Sequence, residues 1–177
     1  MDYQDRRDRA GVAPLSQEID TIRLATALSQ QLNKDIPASQ VIRAVQRYEK
    51  SFFPVCRTVN KTFAAVNEVS GLQSINIDSS YGFFCTGIAG VQSSADYNPF
   101  VIAIQLNNGY NFLAEPLPFQ FLTRFTDKPL DWCMYVPPMS QLQTNIQNGS
   151  TTAVATLYVT YFGYKLPAEF IKMLTGN

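Results

Sequence analysis

The stretch Thr151-Thr-Ala-Val-Ala-Thr-Leu-Tyr-Val-Thr-Tyr-Phe-Gly-Tyr164 decides how the chain reads. Ala153, Ala155, Leu157, Val159 and Tyr161 alternate with Thr152, Thr156, Tyr158 and Thr160. A period of two places the first set on one face of a β-strand and the second on the other. The preceding stretch, Gln141-Leu-Gln-Thr-Asn-Ile-Gln147, alternates as cleanly, with Leu142 and Ile146 facing inward and the glutamines outward. Between the two lies Asn148-Gly149, a pair that tolerates positive φ and predicts a two-residue hairpin turn joining the last two long strands.

Working back from there, Phe100-Val-Ile-Ala-Ile-Gln-Leu106 reads as a buried strand that ends at the turn Asn107-Asn-Gly109. Strands are also expected over residues 72–77, 81–88, 119–125 and 131–136, with a weaker alternation over 63–69 and a loop over 93–99. About seven or eight short strands at this spacing predict a mainly β fold. The expected domain is an antiparallel β-sandwich of jelly-roll or immunoglobulin-like type over residues 54–166.

The first third reads differently. Residues 1–15 mix charges of both signs with Gly11 and Pro14 and have little to bury, which predicts a flexible or partner-bound arm. From Ser16, an expected N-cap, Ile19, Ile22, Ala25, Leu28 and Leu32 recur at helical spacing as far as Asn33. Pro37 suits the first turn of a second helix, in which Val41, Val45, Tyr48 and Phe52 form one apolar stripe before Pro54. Residues 16–53 are therefore a predicted helical hairpin of two short α-helices. Residues 167–177 form a tail with one helical turn around Phe170 and Met173.

Charge divides along the same line. The 177 residues carry 14 basic and 14 acidic side chains, a net charge of zero. Eight of the basic ones (Arg6, Arg7, Arg9, Arg23, Lys34, Arg43, Arg47 and Lys50) fall within the first 50 residues. A body so poor in charge suits surfaces buried against neighbours, whose cores are depleted of charged residues. Two short amphipathic helices cannot bury both stripes on each other alone, so they need a further surface. These observations predict contacts between chains through Tyr3, Arg6, Arg7, Arg9, Ile22, Val41, Val45, Tyr48 and Phe52. The alternative for the same composition is a solvated, uncharged β-surface rich in Thr, Ser, Asn and Gln.

Several functions are disfavoured by residue type. The chain has no histidine, which removes the usual general base, the triads built on it and the commonest metal ligand. Glu68, Asp78, Asp96, Glu115, Asp127, Asp131 and Glu169 are scattered, and Asp96, Asp127 and Asp131 lack the spacing of a calcium loop. Tyr161 and Lys165 have a Tyr-x-x-x-Lys spacing, but on a strand four residues span about 13 Å, too far to act together. Cys56, Cys85 and Cys133 are isolated thiols in apolar contexts, expected in the core. No catalytic, cofactor-binding or metal site is predicted, and the chain is read as not an enzyme.

Nor do partners of other kinds stand out. Arg6-Arg7-Asp-Arg9 is diluted by Asp2, Asp5 and Asp8, so direct nucleic-acid binding is not expected. No apolar run approaches the ~20 residues of a membrane helix, and the first residues lack a secretory signal's apolar segment, which predicts cytoplasmic synthesis and no membrane partner. Tyr97, Tyr110, Phe112, Trp132, Tyr135, Tyr158 and Tyr164 are candidates for a sugar-stacking platform, with core packing or subunit contact as the plainer role.

The segments Leu117-Pro-Phe119, Trp132, Val136-Pro-Pro138, Leu142, Asn148-Gly-Ser150 and Val159-Thr-Tyr-Phe-Gly-Tyr-Lys-Leu166 resemble the C-terminal sandwich of small virion proteins from tailed double-stranded DNA bacteriophages. The resemblance covers about 50 residues and is one of texture: apolar strand, Pro-rich turn, polar strand with Asn, then a long Thr-rich strand. It implies a non-enzymatic structural role as a capsid-associated, neck or tail component of a virion made in the host cytoplasm. A polar, uncharged sandwich with a terminal arm and a helix pair suits closed symmetric assemblies, which predicts a homo-oligomer in contact with other virion proteins. A carbohydrate- or receptor-binding β-sandwich module of a phage tail is the alternative.

Overall fold

A computed structural model describes residues 20–64, 70–93, 100–123, 130–149 and 155–176. Eight strands form two four-stranded sheets. They are β1 (Phe53–Phe63), β2 (Ser70–Asn76), β3 (Tyr81–Gln92), β4 (Phe100–Leu106), β5 (Leu117–Pro118), β6 (Leu130–Val136), β7 (Gln141–Asn148) and β8 (Ala155–Pro167). The first sheet has the order β1-β8-β3-β6 and the second β2-β7-β4-β5. Every pairing is antiparallel.

The expected alternation builds the core between the sheets. Phe100, Ile102, Ile104 and Leu106 of β4 are buried while the residues between them are half exposed. Leu142 and Ile146 of β7 and Ala155, Leu157, Val159 and Tyr161 of β8 close on the same core. Its one described hydrogen bond between side chains of the two sheets joins Thr144 Oγ1 to Tyr161 Oη at 2.6 Å, both groups fully buried.

A third layer lies on the outer side of the first sheet. Helices α1 (Thr21–Leu32), α2 (Ala38–Tyr48) and α4 (Ala168–Thr175) bury Leu24, Leu28, Val41, Val45, Phe170 and Leu174 against Phe84, Tyr135 and Leu166 of β3, β6 and β8. Consecutive residues of β3 thus go to different cores, Phe83 inward and Phe84 outward, and both are buried. Asp20 caps α1 by accepting from the backbone N–H groups of Ile22 and Arg23 at 3.0 and 3.1 Å. Asn33, at φ 48°, ends it. The tail is a two-turn helix and not a single turn, because Phe170, Ile171 and Leu174 share one buried face.

Four expectations need correction. Ile22 is not on the buried stripe: it is 68% exposed, because the packed face of α1 centres on Leu24 and Leu28, roughly 200° round the helix from Ile22 in the case of Leu24. β1 was hidden in the sequence by Arg57 and Lys61, which occupy inward positions between Val55, Val59 and Phe63. An edge strand tolerates this, since Arg57 reaches the Tyr81 hydroxyl at 2.9 Å and the Lys61 ammonium sits 5.4 Å from the Phe63 ring. Residues 119–123 form no strand. Phe119 instead precedes one short helical turn, α3 (Gln120–Thr123), and with Leu122 of that turn it plugs the sandwich beside Gly90. Finally, β7 and β8 lie in different sheets, so Asn148-Gly149 begins a crossover and not a hairpin. Asn148 is buried opposite Phe100 of β4. Residues 1–19, 65–69, 94–99, 124–129 and 150–154, which include the arm, Ser16 and Ile19, lie outside the described residues.

Candidate interaction surfaces

The residues expected to contact a neighbouring chain are not brought together. Tyr3, Arg6, Arg7 and Arg9 lie outside the described residues. Val41, Val45 and Phe52 are almost completely buried, and their burial is intramolecular, under α4 and against the first sheet. Tyr48 is half-buried, its ring edge-on to Phe170 at 6.0 Å, and Phe52 meets the same ring at 5.1 Å. Ile22 alone of the described set stands in solvent. The surface that the two helices needed is the outer face of their own sandwich.

Several titratable groups are held by local partners. The Arg23 guanidinium grips the Asp131 carboxylate with two hydrogen bonds, fastening α1 to β6. That contact lowers the pKa of Asp131 and raises that of Arg23. Asp78 is held low by the backbone N–H and hydroxyl of Ser80, within a turn. Of the three carboxylates considered as oxygen ligands, Asp131 is taken by Arg23, and Asp96 and Asp127 lie outside the described residues. Among the described residues no three His, Cys, Asp or Glu side chains converge as a metal site would require.

Tyr161 and Lys165 part company. The Tyr161 hydroxyl bonds Thr144 inside the core, and burial pushes its pKa up. The Lys165 ammonium lies 4.5 Å over the Tyr81 ring. The cysteines differ from one another, correcting the expectation of three core thiols. Cys85 is buried, with its pKa pushed up to about 12 by desolvation, and Cys133 is half-buried, pushed up to about 11 by the same cause. Cys56 is exposed, because it points outward from the edge strand β1 beyond the helices.

Concavities are shallow or small. A recess of about 430 Å³ at one end of the sandwich is lined by Asn76, Ser79, Asn107, Ser140 and Gln141, with Met139 at its rim. A groove of about 310 Å³ runs over Cys56, Thr86, Phe162 and Tyr164 on the first sheet. Between α1 and β6, Gln31 and Trp132 line a crevice of about 60 Å³, room for a water molecule or two. Four of the candidate sugar-stacking rings, Tyr110, Phe112, Trp132 and Tyr135, line this crevice, with Tyr110 edge-on to Phe112 at 5.2 Å. Tyr135 is buried, Phe112, Trp132 and Tyr164 are half-buried, and Tyr97 is outside the described residues. Exposed Tyr110 reaches that crevice from the loop after β4, whereas exposed Tyr158 stands apart on the outer face of β8.

Two broad faces remain. On the first sheet, beyond the helices, Thr58 pairs with Thr160 and Thr62 with Thr156, each at 3.0 Å, around Tyr158 and Val91. Among the described residues, the helices that form a layer pack on the first sheet and not on the second. Its four strands contain no charged residue. The register aligns their outward amides in rows, and the rows are linked: Gln105 donates to Gln143 at 3.0 Å, Gln143 to Gln141 at 2.9 Å and Gln141 to Asn76 at 2.9 Å. The β7 amides were legible from their alternation. Their junction with Asn76 and Gln105 was not, because it depends on which strands pair.

Compared with known proteins, the chain matches no family model and no curated protein.

Proposed function

We propose that the chain is a non-enzymatic structural protein of a virus particle, a capsid-associated, neck or tail component of a tailed bacteriophage. It acts by self-assembly and by contacts with other virion proteins. The observation that carries this reading is the charge-free second sheet on a sandwich whose strands pair as β1 with β8, β2 with β7, β3 with β6 and β4 with β5. Those four pairings are the ladder of one long hairpin, wound so that β3 also meets β8 and β4 meets β7. Such winding supports a jelly roll over an immunoglobulin-like sandwich, which is built largely from hairpins of consecutive strands.

Jelly rolls serve chiefly as capsid, lectin and cupin domains. The chain's lack of histidine weighs against a cupin's metal chemistry. The crevice shared by Tyr110, Phe112, Trp132 and Tyr135 measures about 60 Å³, far below the size of a ligand pocket, which weighs against a lectin platform. Sheet faces without charge suit closed symmetric assemblies, in which identical surfaces must meet without repulsion. Peptide mass spectrometry of gradient-purified particles from cells that carry the gene tests the role. The protein should co-sediment with particles at fixed stoichiometry; its exclusion from them would refute the proposal.

One observation favours a second reading, a carbohydrate- or receptor-binding module of a phage tail. The recess at Asn76, Asn107 and Gln141 presents amides and hydroxyls of the kind that pair with sugar hydroxyls. Saturable binding on a glycan array, abolished by Asn107→Leu, would support it over the structural role.

A further inference from the structure

We propose that the crevice between α1 and β6 is an internal hydration site, in which one or two ordered waters bridge Gln31 of the helix to Trp132 of the strand. The proposal does not depend on the role in a virus particle.

A complementary pair of polar atoms carries it. Gln31 Oε1 and Trp132 Nε1 are both buried, and neither has a hydrogen-bond partner among the described residues. The amide oxygen only accepts and the indole N–H only donates. Both residues line the same crevice. Native proteins leave very few buried polar atoms unsatisfied, because each one forfeits its hydration without return. A single water answers both at once: it accepts from the indole N–H and donates to the amide oxygen.

Size selects water over any larger ligand. The crevice measures about 60 Å³. A water takes about 30 Å³ of the liquid, whereas pockets for organic ligands start near about 300 Å³. Cavities that stay dry are lined by apolar groups alone, and this wall combines Ala27, Phe112 and Met134 with the amide and the indole.

The gap itself follows from the sequence of α1. Arg23, Ala27 and Gln31 recur every four residues and so form one stripe of the helix. Arg23 at its start grips Asp131 of β6. Ala27 and Gln31 then present a methyl group and an amide where a longer apolar side chain would have filled the space. The neighbouring stripe of Leu24 and Leu28 packs dry against the first sheet. The helix therefore meets the sandwich through one dry seam and one wet seam, the second joined by water.

Trp132 is the only tryptophan in the chain, so its fluorescence reports on this crevice alone. A crystal structure of the full wild-type chain, at a resolution that shows ordered solvent, should place one or two waters within about 3.2 Å of Gln31 Oε1 and Trp132 Nε1. Gln31→Leu removes the acceptor and fills the space, so it should expel the bridging water and move the Trp132 emission to shorter wavelength. Ala27→Val fills the crevice without touching either polar atom and should shift the emission the same way. Circular dichroism melts check that both variants keep the fold, and the wild-type crystal structure decides the matter if they do not. A crevice that is dry, occupied by another side chain, or closed by a direct bond between the Gln31 amide and the indole would overturn the proposal. So would an emission maximum that stays in place in both folded variants.

Discussion

Replacing Tyr161 by Phe removes a single oxygen atom from the middle of the sandwich. That oxygen lies 2.6 Å from Thr144 Oγ1, with both side chains inaccessible to solvent. In Tyr161→Phe the Thr144 hydroxyl is left buried without its partner, a loss of about 1–3 kcal/mol. Thr144→Val should cost a similar amount, since it strands the tyrosine hydroxyl instead. In the double variant neither hydroxyl remains and the shapes are nearly preserved. Its stability should therefore lie within about 1 kcal/mol of wild type. The double-mutant cycle thus predicts strong non-additivity, with the double variant more stable than either single one. Urea unfolding followed by circular dichroism, with unchanged m values, would measure all four proteins. Additive losses in the double variant would refute the reasoning, because they would mean that β7 and β8 do not face each other across the core as the packing requires.

Tyr135 and Tyr161 both have pKa values raised by burial, so they stabilise the fold fully below the ordinary tyrosine value of about 10 and that contribution is lost as the pH rises above it. Absorbance at the tyrosinate band should show these two groups titrating only with alkaline unfolding, and an early titration of all nine tyrosines in folded protein would contradict it. Native protein treated with an aromatic disulfide reagent near pH 8 should release one equivalent rapidly, from exposed Cys56, with Cys133 slower and Cys85 reacting only on unfolding. Cys56→Ser should abolish the rapid phase. Gly163→Ala should lower stability by about 1–3 kcal/mol or more, measured by thermal melting, because a Cβ there would sit 2.0 Å from the Phe84 carbonyl oxygen on the neighbouring strand.

Much of the sandwich was legible because period-two alternation survives wherever one strand face is wet. β4, β7 and β8 are the clearest cases, with buried and more exposed residues alternating almost without a break. β1 was not legible, since its inward positions at Arg57 and Lys61 are polar and only its place at a sheet edge allows that. Asn148-Gly149 misled for a related reason. A local turn signal cannot say whether the next strand returns to the same sheet, and here β8 is held by β1 and β3. The helices were found but their role was not. Val41, Val45, Tyr48 and Phe52 were expected to meet a neighbour because nothing local shows that Phe84, Tyr135 and Leu166 face outward to receive the helices. The amide face of the second sheet was half visible in Gln141, Gln143 and Asn145; the rest came from long-range register.

The central claim is that this chain works by assembling. Mass photometry of the purified protein across a wide concentration range tests it most directly. The account predicts discrete species at multiples of the 19.8 kDa chain, with the larger ones favoured as concentration rises. A single 19.8 kDa species at every concentration, in the absence and presence of its particle's other proteins, would contradict it.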